Sequence, residues 1–422
     1  MRRRALALTL TLGLALWACC SGEEPAEIPA PPGPSETPAS ETPAASTDLP
    51  TPVLPAHTVT TPYPVPASPD VEKTLEVLKG VVGTYATDPE DPWAVGHGML
   101  ALGPDLQLSN GQPAVDWLFS QYAQPAEVSG HTLPAFPRSV GDIRVEPHTD
   151  LLLKVFTEVG VSPDKPITAG GTSFAVRDAW RHSLLTTFLK KSDGSSSYDS
   201  PNDMPWGVQG LAAWAPPNLR WTAYEGTEMT LDDLTRLMVH VLTTESAFMI
   251  RAMASNEGFE KRGQGIFKYT CGGAHLLQGS IFAVARGYGG DAERNKMAVQ
   301  GQLLFYRFPR ELEIYAKAAI AQPNFQLVLT AQQLKFVGHW LESAHKMAAS
   351  GLYTPSPAEQ QQMAEAVDVL VATVMVLKKL GALDNLEQIR GENEQLYLDL
   401  VGDSAHAIRG LELALGRQTF SY

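Results

Sequence analysis

The sequence predicts an all-α fold for residues 71–422, built as an array of helical hairpins that closes into an α/α toroid. Apolar residues recur at helical spacing behind recognisable helix caps. Alternating polar and apolar runs, which are typical of strands, are scarce, and histidines recur at about the length of one helical hairpin. An open right-handed helical array is the alternative arrangement that these patterns allow.

The first helix of this domain is predicted to begin after Ser68-Pro69-Asp70. Val71, Leu75, Leu78 and Val82 follow at intervals of three or four residues, which places them on one face of a helix that packs against a core. Serine as N-cap and proline in the first turn both favour a helix start. We therefore place the beginning of the folded domain at residue 71.

Later helix boundaries carry local signals as well. Thr230 precedes Asp233 by three residues, and Ser356-Pro357-Ala358-Glu359 combines an N-cap, a first-turn proline and a capping box. The helix after Ser356 is predicted to end near Gly381, because glycine readily takes the left-handed conformation that terminates helices. Asp105–Asn110 and Ile143–Val145 are predicted to form at most short β-like links.

Histidines recur along the chain at roughly regular intervals. Six of them have a mean spacing of about 48 residues, which is near the length of a helix-loop-helix unit and predicts six hairpins; they are His97, His148, His182, His240, His275 and His339. This architecture resembles that of terpene cyclases, protein prenyltransferase β-subunits and many glycosidases and polysaccharide lyases. The resemblance is one of architecture only. The sequence has no Asp-rich cyclase motif, no Gln-Trp repeats and no prenyltransferase zinc motif, so none of those activities is implied.

A weak internal repeat agrees with duplicated hairpins. Pro92-Trp93-Ala94-Val95 matches Pro205-Trp206-Gly207-Val208, and further downstream His148 aligns with His275. Self-similarity of this kind is typical of repeated helical units, although chance similarity in a chain rich in alanine and leucine is the alternative explanation.

The amino terminus predicts export. Arg2-Arg3-Arg4 precedes the largely apolar run Ala5–Leu16, and Leu16-Trp17-Ala18-Cys19 follows. A basic start before a short apolar run is typical of a signal peptide. Leu16, Ala18 and Cys19 resemble the lipobox of bacterial lipoproteins, which implies that residues 1–18 are a signal peptide and that Cys19 carries lipid.

The predicted location is the cell envelope, with the chain anchored to a membrane through the lipid on Cys19. The apolar run would rise about 18 Å as a helix, too little for a hydrocarbon layer of about 30 Å, so it is not a membrane span. No aspartate follows Cys19, which favours the outer over the inner membrane. A released periplasmic product, cut by ordinary signal peptidase, is the alternative.

Residues 19–70 are predicted to form a disordered tether. The segment from Ser21 to Asp70 holds fourteen prolines and seven acidic residues, and it has no lysine or arginine. Such a chain cannot bury enough apolar surface to offset the entropy of ordering it. We interpret it as a spacer between the lipid anchor and the domain at residues 71–422.

Composition restricts the partners of this domain. The chain has a net charge of −14, so it repels nucleic-acid phosphates and anionic lipid, and neutral or cationic ligands are favoured. Three cysteines, one of them the predicted lipid attachment site, provide no disulfide framework. Besides the membrane, the expected partners are a glycan or an envelope protein, with no nucleic acid.

The sharpest local cluster is Tyr269-Thr270-Cys271-Gly272-Gly273-Ala274-His275. If a helix begins before Cys271, the thiol and the His275 imidazole lie one turn apart on a single face and could both bind zinc. Two further ligands at a recognised spacing are absent from the sequence. The alternative is a buried thiol beside a histidine that closes a turn, with no cofactor.

Two groups of side chains are candidates for catalysis. Asp178 and His182 are four residues apart on a helix predicted over Thr172–Phe188, where the carboxylate could orient the imidazole as a general base. Glu225 and Glu228 lie in a loop beside aromatic residues, as paired carboxylates of a glycoside hydrolase would. The alternatives are an ordinary helix contact for the first pair and helix N-terminal charges for the second.

Two functional hypotheses follow. The first is a lipoprotein that displays a non-catalytic binding or structural domain, since no complete catalytic motif is present. The second is an envelope enzyme that acts on a glycan or another neutral polymer in a central toroid cavity. For that cavity the sequence nominates His97, His182, His275, Glu225 and Glu228.

Overall fold

The computed structural model describes residues 49–190 and 192–422. The predicted signal peptide and the lipid attachment site Cys19 lie outside the described residues. Helices dominate the described chain and the strands are short, so the predicted all-α fold is confirmed. Within these residues no helix combines the length and apolar character needed to cross a bilayer.

Helices of the toroid alternate along the chain between an outer and an inner layer. The outer helices are α1 (Pro69–Tyr85), α3 (Ala114–Tyr122), α5 (Val176–Thr186), α7 (Leu231–Glu245), α10 (Asp291–Ala321) and α12 (Pro357–Lys379). The inner helices are α2 (Pro92–Leu102), α4 (Leu151–Glu158), α6 (Met204–Trp214), α9 (Ala274–Ala285), α11 (Gln326–Ala349) and α14 (Glu394–Ala414). Two further helices, α8 (Ala247–Ser255) and α13 (Leu386–Glu392), lie in the connections between the layers.

The inner layer is a closed ring. Each inner helix packs against the next in the order α2, α4, α6, α9, α11, α14, and α14 packs against α2. The composition of the helices explains the two layers. All eleven residues of α6 are buried, whereas α1 buries a single face through residues such as Val71, Leu75 and Leu78. The helices therefore form six hairpins around a common axis.

Small residues let the inner helices approach closely. A Cβ atom on Gly410 of α14 would lie 2.9 Å from the carbonyl oxygen of Gly338 on α11. A Cβ atom on Gly279 of α9 would lie 2.9 Å from the carbonyl oxygen of Pro205 on α6. Larger side chains at these positions would force the helices apart, so the glycines keep the ring narrow.

Several predicted boundaries are present as expected. Ser68 caps α1, Thr230 caps α7 by accepting from the Asp233 amide, and Ser356 forms the capping box with Glu359. α12 ends at Lys379, and Gly381 lies just beyond it with a φ of 71°. These signals are local, so neighbouring residues suffice to determine them.

The predicted helix over Thr172–Phe188 is wrong at its start. The structure has strand β7 (Thr172–Ala175) there, and α5 begins at Val176. Gly170 and Gly171 both have positive φ and form the turn that joins β6 (Pro166–Ala169) to β7. The glycine turn therefore starts a hairpin where the sequence pattern indicated a helix.

The strands in the described ranges form five antiparallel pairs of two strands. These are β1 (Thr58–Val59) with β10 (Phe420–Ser421), β2 (Gln124–Val128) with β3 (His131–Ala135), β4 (Ser139–Val140) with β5 (Ile143–Arg144), β6 with β7, and β8 (Arg220–Thr222) with β9 (Glu228–Thr230). The predicted link at Ile143–Val145 coincides with β5. The segment Asp105–Asn110 contributes an isolated bridge between Gln107 and Pro113.

Residues 49–68 lie against the toroid. The Val53 amide donates to the carbonyl oxygen of Trp214, and the Val65 amide donates to that of Ala414. Because Trp214 and Ala414 end α6 and α14, this segment crosses the end of the ring where the inner helices terminate. That part of the predicted tether therefore packs on the domain, and the rest of the predicted tether lies outside the described residues.

A layer of buried charges fills the ring near this end. We call Lys154, Glu158, Glu342, Lys346 and Arg409 the axial ion network. Lys346 Nζ lies 2.5 Å from Glu158 Oε1 and 2.6 Å from Glu342 Oε1. Lys154 and Arg409 also contact Glu158, at 2.7 and 3.2 Å. The network therefore joins α4, α11 and α14 through mutually compensated charges.

We predict that Lys346→Met lowers the free energy of unfolding by about 3–5 kcal/mol, because it leaves Glu158 and Glu342 short of a buried cation. Urea denaturation of both proteins measures this loss. Lys317→Met is the matched control: Lys317 also pairs with a glutamate one turn earlier, Glu313, but both side chains are largely exposed. The control is expected to unfold like the wild type. Equal effects of the two substitutions would contradict a structural role for the network.

Candidate functional site

The end of the ring opposite residues 49–68 holds an open cavity of about 890 Å³. Inner helices line it with side chains that lie in or near their first turns, including Trp93 and His97 of α2, Trp206 of α6 and His275 of α9. The longer helices α11 and α14 contribute residues from their middle turns, among them His339 and His406. The cavity therefore lies on the toroid axis, and we call it the axial cavity.

Four imidazoles form a cluster at the base of the axial cavity. The ring centroids of His339 and His406 are 3.9 Å apart, and His275 lies 4.9 Å from the first and 5.2 Å from the second. His97 meets His406 edge-on at 5.7 Å. We call these four residues the histidine cluster. They come from α2, α9, α11 and α14, so ring closure is what brings them together.

Hydrogen bonds orient two rings of the cluster and leave others unpaired. His406 Nδ1 is 2.8 Å from Glu342 Oε2, and His97 Nδ1 is 2.9 Å from the carbonyl oxygen of Trp93. Both nitrogens of His339 and Nε2 of His406 have no hydrogen-bond partner among the described residues. Unpaired buried nitrogens of this kind are available to a ligand.

Burial keeps imidazoles of this cluster neutral. Desolvation lowers the pKa of His97 from 6.5 to about 4 and lowers the pKa values of His275 and His406 well below 6.5. Neighbouring imidazoles act in the same direction, and only Glu342 opposes them at His406. Neutral imidazole is the form that accepts a hydrogen bond or coordinates a metal ion.

A left-handed turn places Cys271 beside the histidine cluster. Cys271, Gly272 and Gly273 have φ angles of 53°, 61° and 82°, and α9 begins only at Ala274. The condition for Cys271 and His275 to share one helix face, a helix that begins before Cys271, is therefore not met. The turn nevertheless brings Cys271 Sγ, a His275 nitrogen and a His339 nitrogen within 4.8 Å of one another. The predicted pair thus gains a third neighbour that is capable of binding a metal ion.

A second feature of the cavity is an imidazole held by a carboxylate. His148 Nδ1 is 2.8 Å from Oδ1 of buried Asp203, and the His148 ring stacks on Trp206 with a centroid distance of 3.9 Å and an angle of 4°. Arg138 donates to the other oxygen of Asp203. The side chain of His148 is 22 % exposed. Its Nε2 can therefore exchange a proton with a molecule in the cavity.

The wall of the axial cavity is acidic. Seven carboxylates and four cationic side chains line it: Glu90, Asp91, Asp142, Asp199, Glu394, Asp399 and Asp403 against Arg138, Arg144, Lys335 and Arg390. Such a surface repels polyanions and tolerates neutral or cationic ligands.

The structure separates the sequence-predicted residues into two groups. His97 and His275 line the axial cavity, while His182, Glu225 and Glu228 do not. Asp178 accepts hydrogen bonds from the Ala175 amide and from Arg181. Those bonds fix the start of α5 and leave Asp178 without a hydrogen bond to His182.

The predicted glutamates belong to a surface hairpin. Glu225 lies in the turn between β8 and β9 and accepts from the Thr227 hydroxyl. Glu228 begins β9, and the Thr222 hydroxyl donates to it. The second oxygen of Glu225, Oε1, is buried without a hydrogen-bond partner among the described residues. A catalytic role for the two carboxylates stays a prediction.

Sequence reasoning missed His406, Glu342 and Asp203. Two of them carried a usable signal: Glu342 follows His339 by three residues, and His406 follows Asp403 by three, so each pair shares a helix face. Asp203 carried none, because its partner His148 is 55 residues away in the chain.

No protein-family model matches the chain, and the comparisons found no curated protein and no solved structure that resembles it significantly. The toroid alone does not identify an activity, because one architecture supports many chemistries. The function must therefore be inferred from the axial cavity itself.

We predict that His97 makes the protein less stable in acid. The pKa of this histidine is 6.5 in the unfolded chain and about 4 in the native protein. Between these values the unfolded chain binds a proton that the native protein does not bind. The contribution of His97 to the free energy of unfolding has its full value above pH 6.5 and declines as the pH falls. Across that range the wild type should lose up to about 1.4 kcal/mol per pH unit more than His97→Asn, whose amide can replace Nδ1. Urea unfolding at a series of pH values measures the difference, and parallel curves for the two proteins would refute it.

Proposed function

We propose that this protein is a lipid-anchored envelope hydrolase that removes acyl groups from a neutral glycan in the axial cavity. The observation that carries the proposal is the Asp203–His148 pair, whose imidazole stacks on Trp206 and faces an open cavity. An imidazole oriented in this way by a carboxylate is suited to general acid–base catalysis.

The reaction follows from the position of each group. Asp203 accepts from His148 Nδ1, which leaves Nε2 as the proton acceptor of a residue that lines the cavity. Nε2 takes a proton from water as the water oxygen attacks the acyl carbonyl carbon. The same proton then passes to the leaving group of the glycan, which is the oxygen of an ester or the nitrogen of an amide. The products are a carboxylic acid and the deacylated glycan.

The chemistry of the cavity wall favours this substrate class. Its excess of carboxylates disfavours anionic polymers and is compatible with neutral sugars. Trp93 lies at the wall, where an indole can pack against a sugar face.

The alternative function is binding of an envelope ligand without catalysis. The observation that favours it is the lack of a complete catalytic motif in the sequence.

We predict that the purified full-length protein releases acetate from an O- or N-acetylated neutral glycan. His148→Asn should reduce kcat/KM by about 10²–10⁴-fold, since the amide can keep the bond to Asp203 but cannot accept the proton. Acetate release measures the reaction. His240→Asn, on outer helix α7, is the control and should retain full activity. A wild type that binds the glycan and releases no acetate would support the binding function instead.

We also propose that Cys19 carries the lipid and holds the domain at the outer membrane. The lipobox-like residues before Cys19 and the lack of aspartate after it support this location. About thirty residues separate Cys19 from residue 49, and an extended Pro-rich chain of that length spans about 90 Å. A tether of that length would hold the domain away from the lipid surface.

Fractionation of cells tests the anchor. The wild type should sediment with outer membranes, whereas Cys19→Ser should not be acylated and should shift to another fraction. Cys20→Ser is the matched control and should behave as the wild type. Recovery of the wild-type protein in the soluble periplasmic fraction would contradict the anchor.

A further inference from the structure

Three potential metal ligands meet at the base of the axial cavity. Cys271 Sγ, a nitrogen of His275 and a nitrogen of His339 lie within 4.8 Å of one another. His275 and His339 are buried, and they reach this point from different inner helices, α9 and α11. Zinc binds thiolate at about 2.3 Å and imidazole nitrogen at about 2.0–2.1 Å, so the separations of these atoms are compatible with three ligands around a single ion.

His339 supplies an independent indication of a ligand. Its side chain is 2 % exposed, yet neither ring nitrogen has a hydrogen-bond partner among the described residues. A buried polar group without a partner costs about 1–3 kcal/mol. Coordination of an ion by one nitrogen would remove that cost, and Asp403, 3.7 Å from Nε2, is positioned to orient the ring.

A second trio of donors competes for the same histidine. Nitrogens of His339 and His406 and an oxygen of Glu342 also lie within 4.8 Å of one another. Glu342 is already neutralised: Lys346 Nζ is 2.6 Å from one of its oxygens, and Gln278 and His406 bond the other. The ammonium group would repel a cation at this point, so the charges favour the trio that contains Cys271.

We propose that Cys271, His275 and His339 bind one zinc ion, with a fourth coordination position open to the axial cavity. Sulfur and imidazole donors select zinc over magnesium or calcium, which prefer oxygen. Both Cys271 and His275 line the cavity that also holds His148. The inference extends the proposed function, because zinc with an open position can polarise an acyl carbonyl or activate water.

Metal analysis of the full-length protein, purified from the cell envelope without chelators, tests the site. We expect about one zinc per chain, either as purified or after dialysis against zinc followed by removal of the excess. Cys271→Ser and His339→Asn should each weaken zinc binding by about 100-fold or more. Cys20→Ser and His240→Asn are the matched controls and should bind zinc as the wild type does.

Cobalt substitution reports directly whether a thiolate is bound to the metal ion. The cobalt-loaded wild type should show a thiolate-to-cobalt charge-transfer band, and Cys271→Ser should lack it while retaining the wild-type circular dichroism spectrum. Absence of bound metal in the wild type after dialysis would overturn the site. Unchanged zinc binding in both ligand variants would overturn it as well.

These outcomes are separable from those of the proposed hydrolase. His148→Asn should lose acetate release and keep its zinc, because His148 is not among the three ligands. A wild type that binds zinc at Cys271 but releases no acetate from any glycan would support the metal site and contradict the hydrolase. A wild type that releases acetate without binding zinc would do the reverse.

Discussion

Compensation of buried charge on the toroid axis is the constraint on which the rest of the structure depends. The ring of inner helices is narrow, so the groups that point inward have little water to solvate them. Burial alone would raise the pKa values of Glu158 and Glu342, yet Lys346 and its cationic neighbours hold both below their usual range. The axial ion network therefore pairs charges between helices that are distant in the sequence, and separating any two of those helices would expose an uncompensated charge.

This compensation divides the axis into two chemically different halves. Near the end covered by residues 49–68, Glu158 and Glu342 have their cations within contact distance, and a further positive ion gains nothing there. Toward the open end the axis carries the histidine cluster, where desolvation keeps His97, His275 and His406 neutral. Glu342 belongs to both halves because it also bonds to His406. The cavity thus combines neutral donors with an acidic rim.

The sequence predicted the parts of this arrangement that are determined locally. The caps at Ser356 and Thr230 depend on residues three positions away. Six hairpins are present, but the histidine spacing does not match them one for one, because His240 and His275 both belong to the hairpin of α7 and α9. That spacing did not distinguish the layers: His97 and His275 point to the axis, whereas His182 and His240 lie on outer helices. Sites such as Asp203 with His148 arise only when the ring closes, so no spacing along the chain encodes them.

The internal repeat corresponds to equivalent positions in two hairpins of the ring. Trp93 and Trp206, its matched tryptophans, both lie in the first turn of an inner helix and line the axial cavity.

The most direct test of the account is X-ray diffraction at the zinc absorption edge from crystals of the zinc-loaded protein. We expect one anomalous peak between Cys271, His275 and His339. A peak at Glu342, or the absence of any peak on the axis, would contradict the conclusion that compensated charge directs a cation to the open half.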